Sequence, residues 1–296
     1  MNRGELTGRI WKATAGFYYV KGEDDQLIEC RARGVFRKEG NTPLVGDMVR
    51  VVLSQEGGGT VSEILPRKNS LVRPPLANLD RMVLVLAVTD PVPNFFVADS
   101  YLAILAHRSI DALVALTKTD LGEPAGLERL YAGAGYPVYV IGPSGEGIPA
   151  LEDALSQGIS AFCGNSGVGK STLLNRIDSR LALPTADTSR KLGRGRHTTR
   201  HVELLPLPGG GLVADTPGFS SIEMLRMGHI PKEELALCFP EFSPYLGKCR
   251  FNDCSHTRET GCGVLQALEQ GSIDSRRHES YRKLYDEARQ VREWEV

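Results

Sequence analysis

Over the first 66 residues, apolar positions come in short runs broken by turns, with little helical spacing. Ile10–Val20 is dense in aromatic and β-branched residues, and Leu27–Val35 alternates loosely. Asp47–Leu53 follows Gly46 as a clean strand, and a Gly57-Gly58-Gly59 turn precedes Thr60–Leu65. This pattern predicts a small β-barrel or sandwich. From about residue 70 the texture changes. Arg81–Val88 is an unbroken apolar run, as expected of a strand buried on both faces. Ser100–His107 has helical spacing. Ala112–Leu116, Val138–Ile141, Ser160–Cys163 and Gly211–Ala214 read as further strands, with a helix opening at Lys170. Alternating strands and helices predict an α/β fold with a mostly parallel sheet. Near the end, Tyr281, Leu284, Tyr285, Ala288 and Val291 form one apolar helical stripe. The expected division is 1–68, 69–232 and 233–296.

Composition narrows the class. The chain has 296 residues, 41% of them hydrophobic, which excludes wholesale disorder. The first residues lack the apolar core of a signal peptide, and no run nears the roughly 18 apolar residues of a membrane helix. A cytoplasmic, soluble protein without a membrane partner is expected. Six cysteines are too few for a secreted disulfide scaffold.

Gly164-Asn165-Ser166-Gly167-Val168-Gly169-Lys170-Ser171 matches the phosphate-loop pattern G-x-x-x-x-G-K-[ST] in full, and Thr172 follows it. Glycines let backbone N–H groups curl around an anion, and the following helix offers its positive end. Lys170 is expected at the β- and γ-phosphates and the Ser171 hydroxyl on Mg²⁺. The pattern alone does not choose between ATP and GTP. Asp215-Thr216-Pro217-Gly218 follows a strand, so Asp215 fits a water-mediated Mg²⁺ partner and the Gly218 N–H a γ-phosphate sensor.

Thr117-Lys118-Thr119-Asp120 lies just past another strand and resembles the guanine-reading [NT]-K-x-D motif of GTPases. A carboxylate at Asp120 accepts two hydrogen bonds from guanine N1–H and its 2-amino group, a donor pair adenine lacks, while the Lys118 stem covers the base. Thr117 departs from the commoner Asn. Gly142-Pro143-Ser144-Gly145-Glu146-Gly147 resembles the loop whose N–H meets guanine O6; a plain Gly/Pro turn is the alternative. These base-side motifs precede the phosphate loop, so the usual GTPase order is rotated, as in circularly permuted GTPases. Chain termini often lie close together, so permutation can keep the same sheet.

Between Lys170 and Asp215 lies a stretch carrying Arg190, Lys191, Arg194, Arg196 and Arg200 with His197 and His201 and no acid. It reads either as a solvated basic loop or as a switch with Thr198 or Thr199 completing Mg²⁺ coordination. Phe219 stands where many GTPases carry a water-orienting Gln, which predicts slow intrinsic hydrolysis. His197 is the candidate to replace it.

Cys249-x4-Cys254-x-His256-x5-Cys262 supplies three thiolates and an imidazole, a closed tetrahedral set suited to one structural Zn²⁺ per chain. Cys30, Cys163 and Cys238 lack nearby partners and read as buried small hydrophobes.

Together, the N-terminal barrel, TKTD, GNSGVGKST, GRHTTR, DTPGF and the Cys/His cluster resemble the bacterial family of ribosome small subunit-dependent GTPase A over essentially the whole chain. The resemblance implies an RNA-binding OB-fold, a circularly permuted GTPase and a mostly helical zinc-binding domain. It also implies binding to the 30S subunit and its 16S rRNA, GTP hydrolysis stimulated by that subunit, and a role in late 30S maturation. Trp11, Phe17, Tyr18 and Tyr19 are candidates for an RNA face, although most are expected in the core. Two other functions fit the same phosphate loop: a nucleotide-dependent metabolic enzyme, and a GTP-dependent RNA-binding module with little hydrolysis. Nothing in the chain points to an obligate oligomer, so a monomer is expected. The net charge of −1 hides the basic cluster at 190–200, so it excludes only a uniformly basic protein.

Overall fold

The computed structural model describes residues 4–38, 40–55, 57–71, 74–181, 202–215 and 229–290. Five strands form the N-terminal barrel: β1 (Glu5–Thr14), β2 (Phe17–Lys21), β3 (Leu27–Ala32), β4 (Met48–Leu53) and β5 (Gly59–Ile64). The neighbour order β1-β2-β3-β5-β4 closes through a β1–β4 pairing, and only β3–β5 is parallel. The apolar run read as Ile10–Val20 is two strands. Ala15 and Gly16 both take positive φ (49° and 84°) and turn the chain between them. The run beginning at Leu27 stops at Ala32, and a short helix α1 (Gly34–Lys38) follows, too brief for periodicity to announce. Ile10, Val20, Cys30, Val49, Val51 and Val61 fill the barrel.

The connection to the next unit is tightly held. Buried Asp47 receives two hydrogen bonds from Arg67 and one from the Leu44 N–H. Asn69 exchanges hydrogen bonds with Leu79 through its side-chain amide. A two-stranded ribbon, β6 (Ser70–Leu71) with β7 (Leu76–Ala77), lies between them. Leu71, Leu76 and Leu79 make the barrel core and the next core one continuous apolar body.

The middle of the chain alternates as the pattern requires: β8 (Arg81–Ala87), α2 (Phe95–His107), β9 (Asp111–Thr117), α3 (Ala125–Gly133), β10 (Val138–Val140), α4 (Ile148–Ala154), β11 (Ile159–Cys163), α5 (Lys170–Ile177), β12 (Val202–Pro206) and β13 (Leu212–Asp215). The sheet order is β10-β9-β8-β11-β13-β12, parallel except for β12. The apolar pattern of the chain does not announce β12. It also pairs antiparallel with β1, Lys12 opposite Glu203 and Ala13 opposite Val202, with a Lys12–Glu203 ion pair at 2.8 Å. Barrel and middle sheet are thus one eleven-stranded sheet.

The C-terminal part packs α6 (Gly263–Glu269) and α7 (Ser275–Gln290) with 3-10 turns at Leu235–Cys238 and Pro240–Phe242. Phe239, Phe242 and Tyr281 form its aromatic centre. Helix α2 is shared: Ala98, Tyr101, Leu102 and Leu105 face the sheet core, while Ala103 and Ile104 join the C-terminal core. Its first turn is capped by Asn94, whose Oδ1 accepts the Val97 N–H. Among the described residues, no helix is long and apolar enough to cross a membrane.

Arg277 of α7 locks this junction. It is 1% exposed, donates to Asp99 Oδ1 on α2 at 2.7 Å and to Glu241 Oε1 at 2.7 Å, and lies over the Phe239 ring. Burial alone would lower its pKa, but the carboxylates of Glu241 and Asp99 more than reverse that, so the guanidinium stays charged. Removing one member of such a network strands the others in a dry interior. Arg277→Ala is expected to cost about 3–5 kcal/mol in urea-induced unfolding, whereas breaking the solvent-exposed pair Glu279–Lys283 should leave the unfolding midpoint nearly unchanged.

Candidate functional site

Because β8, β9, β10, β11 and β13 run parallel, the loops at their carboxyl ends share one edge of the sheet. β11 is buried along its whole length and ends at Cys163, where the phosphate loop begins. Gly164 has φ of +142°, and any Cβ there would collide with the Val85 carbonyl of β8, so only glycine lets the loop leave the sheet here. Gly169 sits at the N-cap of α5 with φ of +92° and launches the helix. Val168 is buried as the loop's apolar anchor, while Ser166, Gly167 and Thr172 are exposed. Ser171 is half-buried in the first turn of α5.

Lys170 reaches back across the loop and donates to the carbonyls of Gly164 (2.8 Å) and Asn165 (2.7 Å). Burial lowers its pKa, so a polyanion placed here would relieve a charge that the protein only partly solvates. Asn165 Oδ1 is buried without a hydrogen-bond partner among the described residues.

The TKTD segment meets this loop directly. Thr117 Oγ1 donates to the Val168 carbonyl at 2.6 Å, in a buried contact. That bond gives the departure from Asn a physical account, since a hydroxyl is donor enough to tie the end of β9 to the phosphate loop. Thr119 Oγ1 donates to the Ile141 carbonyl at 3.0 Å, tying the same segment to the end of β10. Lys118 has φ of +55°, and its Nζ lies 3.5 Å from Asp90 Oδ2. Asp120 is exposed at the sheet edge. The Gly142–Gly147 loop follows β10, so three of the sequence-derived motifs share this edge. Asp215 closes β13 next to β11; its side chain, His197, Thr198, Thr199, Gly218, Phe219 and the basic stretch 190–200 lie outside the described residues.

The second constellation is the Cys/His cluster. The ligand atoms of Cys249, Cys254, His256 and Cys262 lie within 4.8 Å of one another. Cys249 and Cys262 Sγ are 3.8 Å apart, and His256 Nδ1 lies 3.5 and 3.4 Å from them. A tetrahedron with bonds of about 2.3 Å has edges of about 3.8 Å, so the four donors are spaced to hold a metal ion. Burial, with hydrogen bonds to neighbouring thiols, pushes the Cys254 thiol up to about 12, so a metal must displace protons on binding. The frame around the cluster is ordered by hydrogen bonds. His278 Nε2 bonds the His256 carbonyl at 2.8 Å, Tyr281 OH donates to the Ser255 carbonyl at 2.7 Å, and the Gly263 N–H points at Cys249 Sγ. Glu259 gathers the Ser255 hydroxyl and the N–H groups of Ser255, Thr257 and Arg258; against its partial burial, the Ser255 hydroxyl first, and then the N–H groups of Arg258 and Ser255, hold its carboxyl at about 2. Periodicity and motif spacing showed none of this supporting shell, because its members carry no metal-ligand signature. Cys30, Cys163 and Cys238 are buried thiols.

Comparison with known proteins converges on one family. The model of the RsgA GTPase family matches residues 64–225, and that of the RsgA N-terminal domain matches residues 7–61. A small ribosomal subunit biogenesis GTPase RsgA from Caldanaerobacter subterraneus subsp. tengcongensis is 46% identical over 289 residues, covering 96% of each chain. The protein of the same description from Ruminiclostridium cellulolyticum is 44% identical and covers 94% of this chain and 92% of its own. The crystal structure of YjeQ from Thermotoga maritima superposes with a TM-score of 0.82 at 33% identity, over 98% of this chain and 100% of that one. YloQ, a circularly permuted GTPase, does so with a TM-score of 0.79 at 35% identity, over 97% and 96%.

The Thr117–Val168 bond yields a direct test. Thr117→Val keeps the shape and deletes the donor, so it should cost about 1–2 kcal/mol of stability and lower GDP affinity about tenfold by titration calorimetry. Thr117→Ser should retain both.

Proposed function

The chain belongs to the RsgA GTPase family, and on that footing we propose that it hydrolyses GTP to GDP and phosphate during late maturation of the 30S ribosomal subunit. The observation that carries this reading is the shared edge, where a phosphate loop and a guanine-type TKTD segment are tied by the Thr117–Val168 hydrogen bond. In this reading the backbone of Gly164–Gly169 wraps the phosphates and Lys170 turns from the loop carbonyls to the β- and γ-phosphates. Ser171, Thr198 or Thr199 and Asp215 would hold the Mg²⁺ that accompanies the nucleotide, and the ion would neutralise charge developing on the phosphate oxygens. Gly218 senses the γ-phosphate, and His197 orients water where Phe219 offers no polar group. Asp120 reads guanine N1–H and the 2-amino group, with Lys118 over the base and Thr119 bracing the loop.

The Cys249, Cys254, His256 and Cys262 set suits Zn²⁺ as a structural cross-link, since four protein donors would fill a tetrahedral shell and leave no open position. We assign residues 1–68, 69–232 and 233–296 to barrel, GTPase and zinc-binding units. The partner is the 30S subunit with its 16S rRNA, met as a monomer in the cytoplasm, and the subunit stimulates turnover. On the barrel, Lys21 lies over Trp11 at 4.2 Å and Arg31 over Phe17 at 4.7 Å, pairings of ring and cation that suit contact with RNA bases and phosphates. Trp11 and Tyr18 pack partly against the barrel core, which leaves Phe17 and Tyr19 as the freer rings.

Phosphate release from GTP is expected to be slow with protein alone and to rise at least tenfold with purified 30S subunits. High basal turnover of a small molecule would support a metabolic enzyme, and no turnover in either condition a binding module. Asp120→Asn exchanges an acceptor for a donor, so it should weaken GDP at least tenfold and favour XDP, whose 2-oxo group accepts from the new amide. His197→Ala should reduce the stimulated rate while leaving GDP affinity intact. Metal analysis should find one zinc per chain, and Cys262→Ser should lose it together with cooperative unfolding of the C-terminal part.

A further inference from the structure

Arg176 stands in the last turn of α5, the helix that begins at the phosphate loop. Its guanidinium donates from Nη1 to the Gly142 carbonyl at 3.1 Å and from Nη2 to the Pro143 carbonyl at 2.8 Å. Those two carbonyls open the loop that follows β10. The loop is closed from within by Glu146, whose backbone carbonyl accepts the Gly142 N–H at 3.0 Å and whose carboxylate accepts the Ser144 N–H at 3.1 Å. A Cβ on Gly142 would meet the Glu146 side chain, so the carboxylate packs directly over this glycine. On its other flank the loop is tied to TKTD through the Thr119–Ile141 bond.

We infer that Arg176 is a positioning residue for purine selectivity, acting through the Gly142–Gly147 loop. The inference rests on the guanine reading and goes further, to the 6-position of the base. Guanine presents an oxygen acceptor there, and adenine an amino donor. A loop whose carbonyls were free could accept that amino group. The Pro143 carbonyl is engaged by Arg176, and the Gly142 carbonyl by Arg176 together with the Gly145 N–H, so these acceptors are occupied, while the N–H groups of Glu146 and Gly147, which no bond within the loop takes up, suit an oxo group and reject an amino group. Arg176 itself touches no base; it is exposed and works through the backbone it holds. The same helix therefore carries the phosphate lysine at its first turn and the anchor of the base-side loop at its last.

The test compares GDP, IDP and ADP affinities of wild type, Arg176→Ala and Arg176→Lys, with thermal melting to confirm folding. IDP keeps the 6-oxo group and lacks the 2-amino group. Arg176→Ala should lose about three- to tenfold in GDP and IDP alike, leaving their ratio unchanged, while ADP holds or improves, so the GDP-over-ADP preference narrows. Arg176→Lys, with one donor head, should restore part of that preference. Equal losses for GDP, IDP and ADP would mean that Arg176 only stabilises α5, and wild-type affinities throughout would mean that it does nothing for the loop; either result overturns the role. Wild-type protein that binds ADP as tightly as GDP would instead sink the guanine reading itself, together with the role built on it.

Discussion

The strand Ile159–Cys163 is the constraint from which the rest of the molecule follows. It is buried at every position and is held in parallel by β8 on one side and β13 on the other. Parallel pairing puts carboxyl ends together whatever their order along the chain. Motifs at Thr117–Asp120, Gly142–Gly147, Gly164–Ser171 and Asp215 therefore meet at one edge, although the base-side pair comes first in the sequence. Circular permutation costs the site nothing because the ladder decides neighbours. It does change what hangs from the ends, giving a barrel ahead of β8 and a Cys/His unit behind β13.

Both additions are fixed to the sheet by packing of different kinds. The barrel shares its apolar core with the linker and the sheet, and adds a ladder between β1 and β12. The C-terminal unit uses helix α2, which is apolar on both sides, and a charge network centred on Arg277. Hydrophobic contact is tolerant of small rotations, whereas a buried guanidinium between two carboxylates is not. The orientation of the C-terminal unit is thus specified more narrowly than its apolar contacts alone would require.

Much of this was legible in the sequence, for physical reasons. Parallel strands buried on both faces leave continuous apolar runs, and phosphate and metal chemistry demand fixed residue types at fixed spacing, so β8, β9, β11, the loop at Gly164 and the four metal-site residues could all be read. Where local pattern carries no such demand, reading failed. β12 is five residues ending at Pro206 and is held between β13 and the distant β1. Arg277 reads as one more surface cation in a charged helix, because its partners Asp99 and Glu241 are remote in sequence. The same holds for Arg176, whose acceptors are backbone carbonyls that no residue identity can reveal. Thr117 was visible as a departure from Asn, yet its bond to Val168 needed coordinates.

The β1–β12 pairing has one more consequence. An antiparallel strand at the rim of a parallel sheet presents unpaired N–H and C=O groups, a template on which another chain can add. Here β1 takes that place, and β1 is itself closed into the barrel through β4. The eleven-stranded sheet is therefore left, among the described residues, with β10 as its open rim, a strand of three residues. A very short rim offers too few bonds to nucleate strand addition, so the barrel guards the protein against sheet-to-sheet aggregation simply by where its first strand lies.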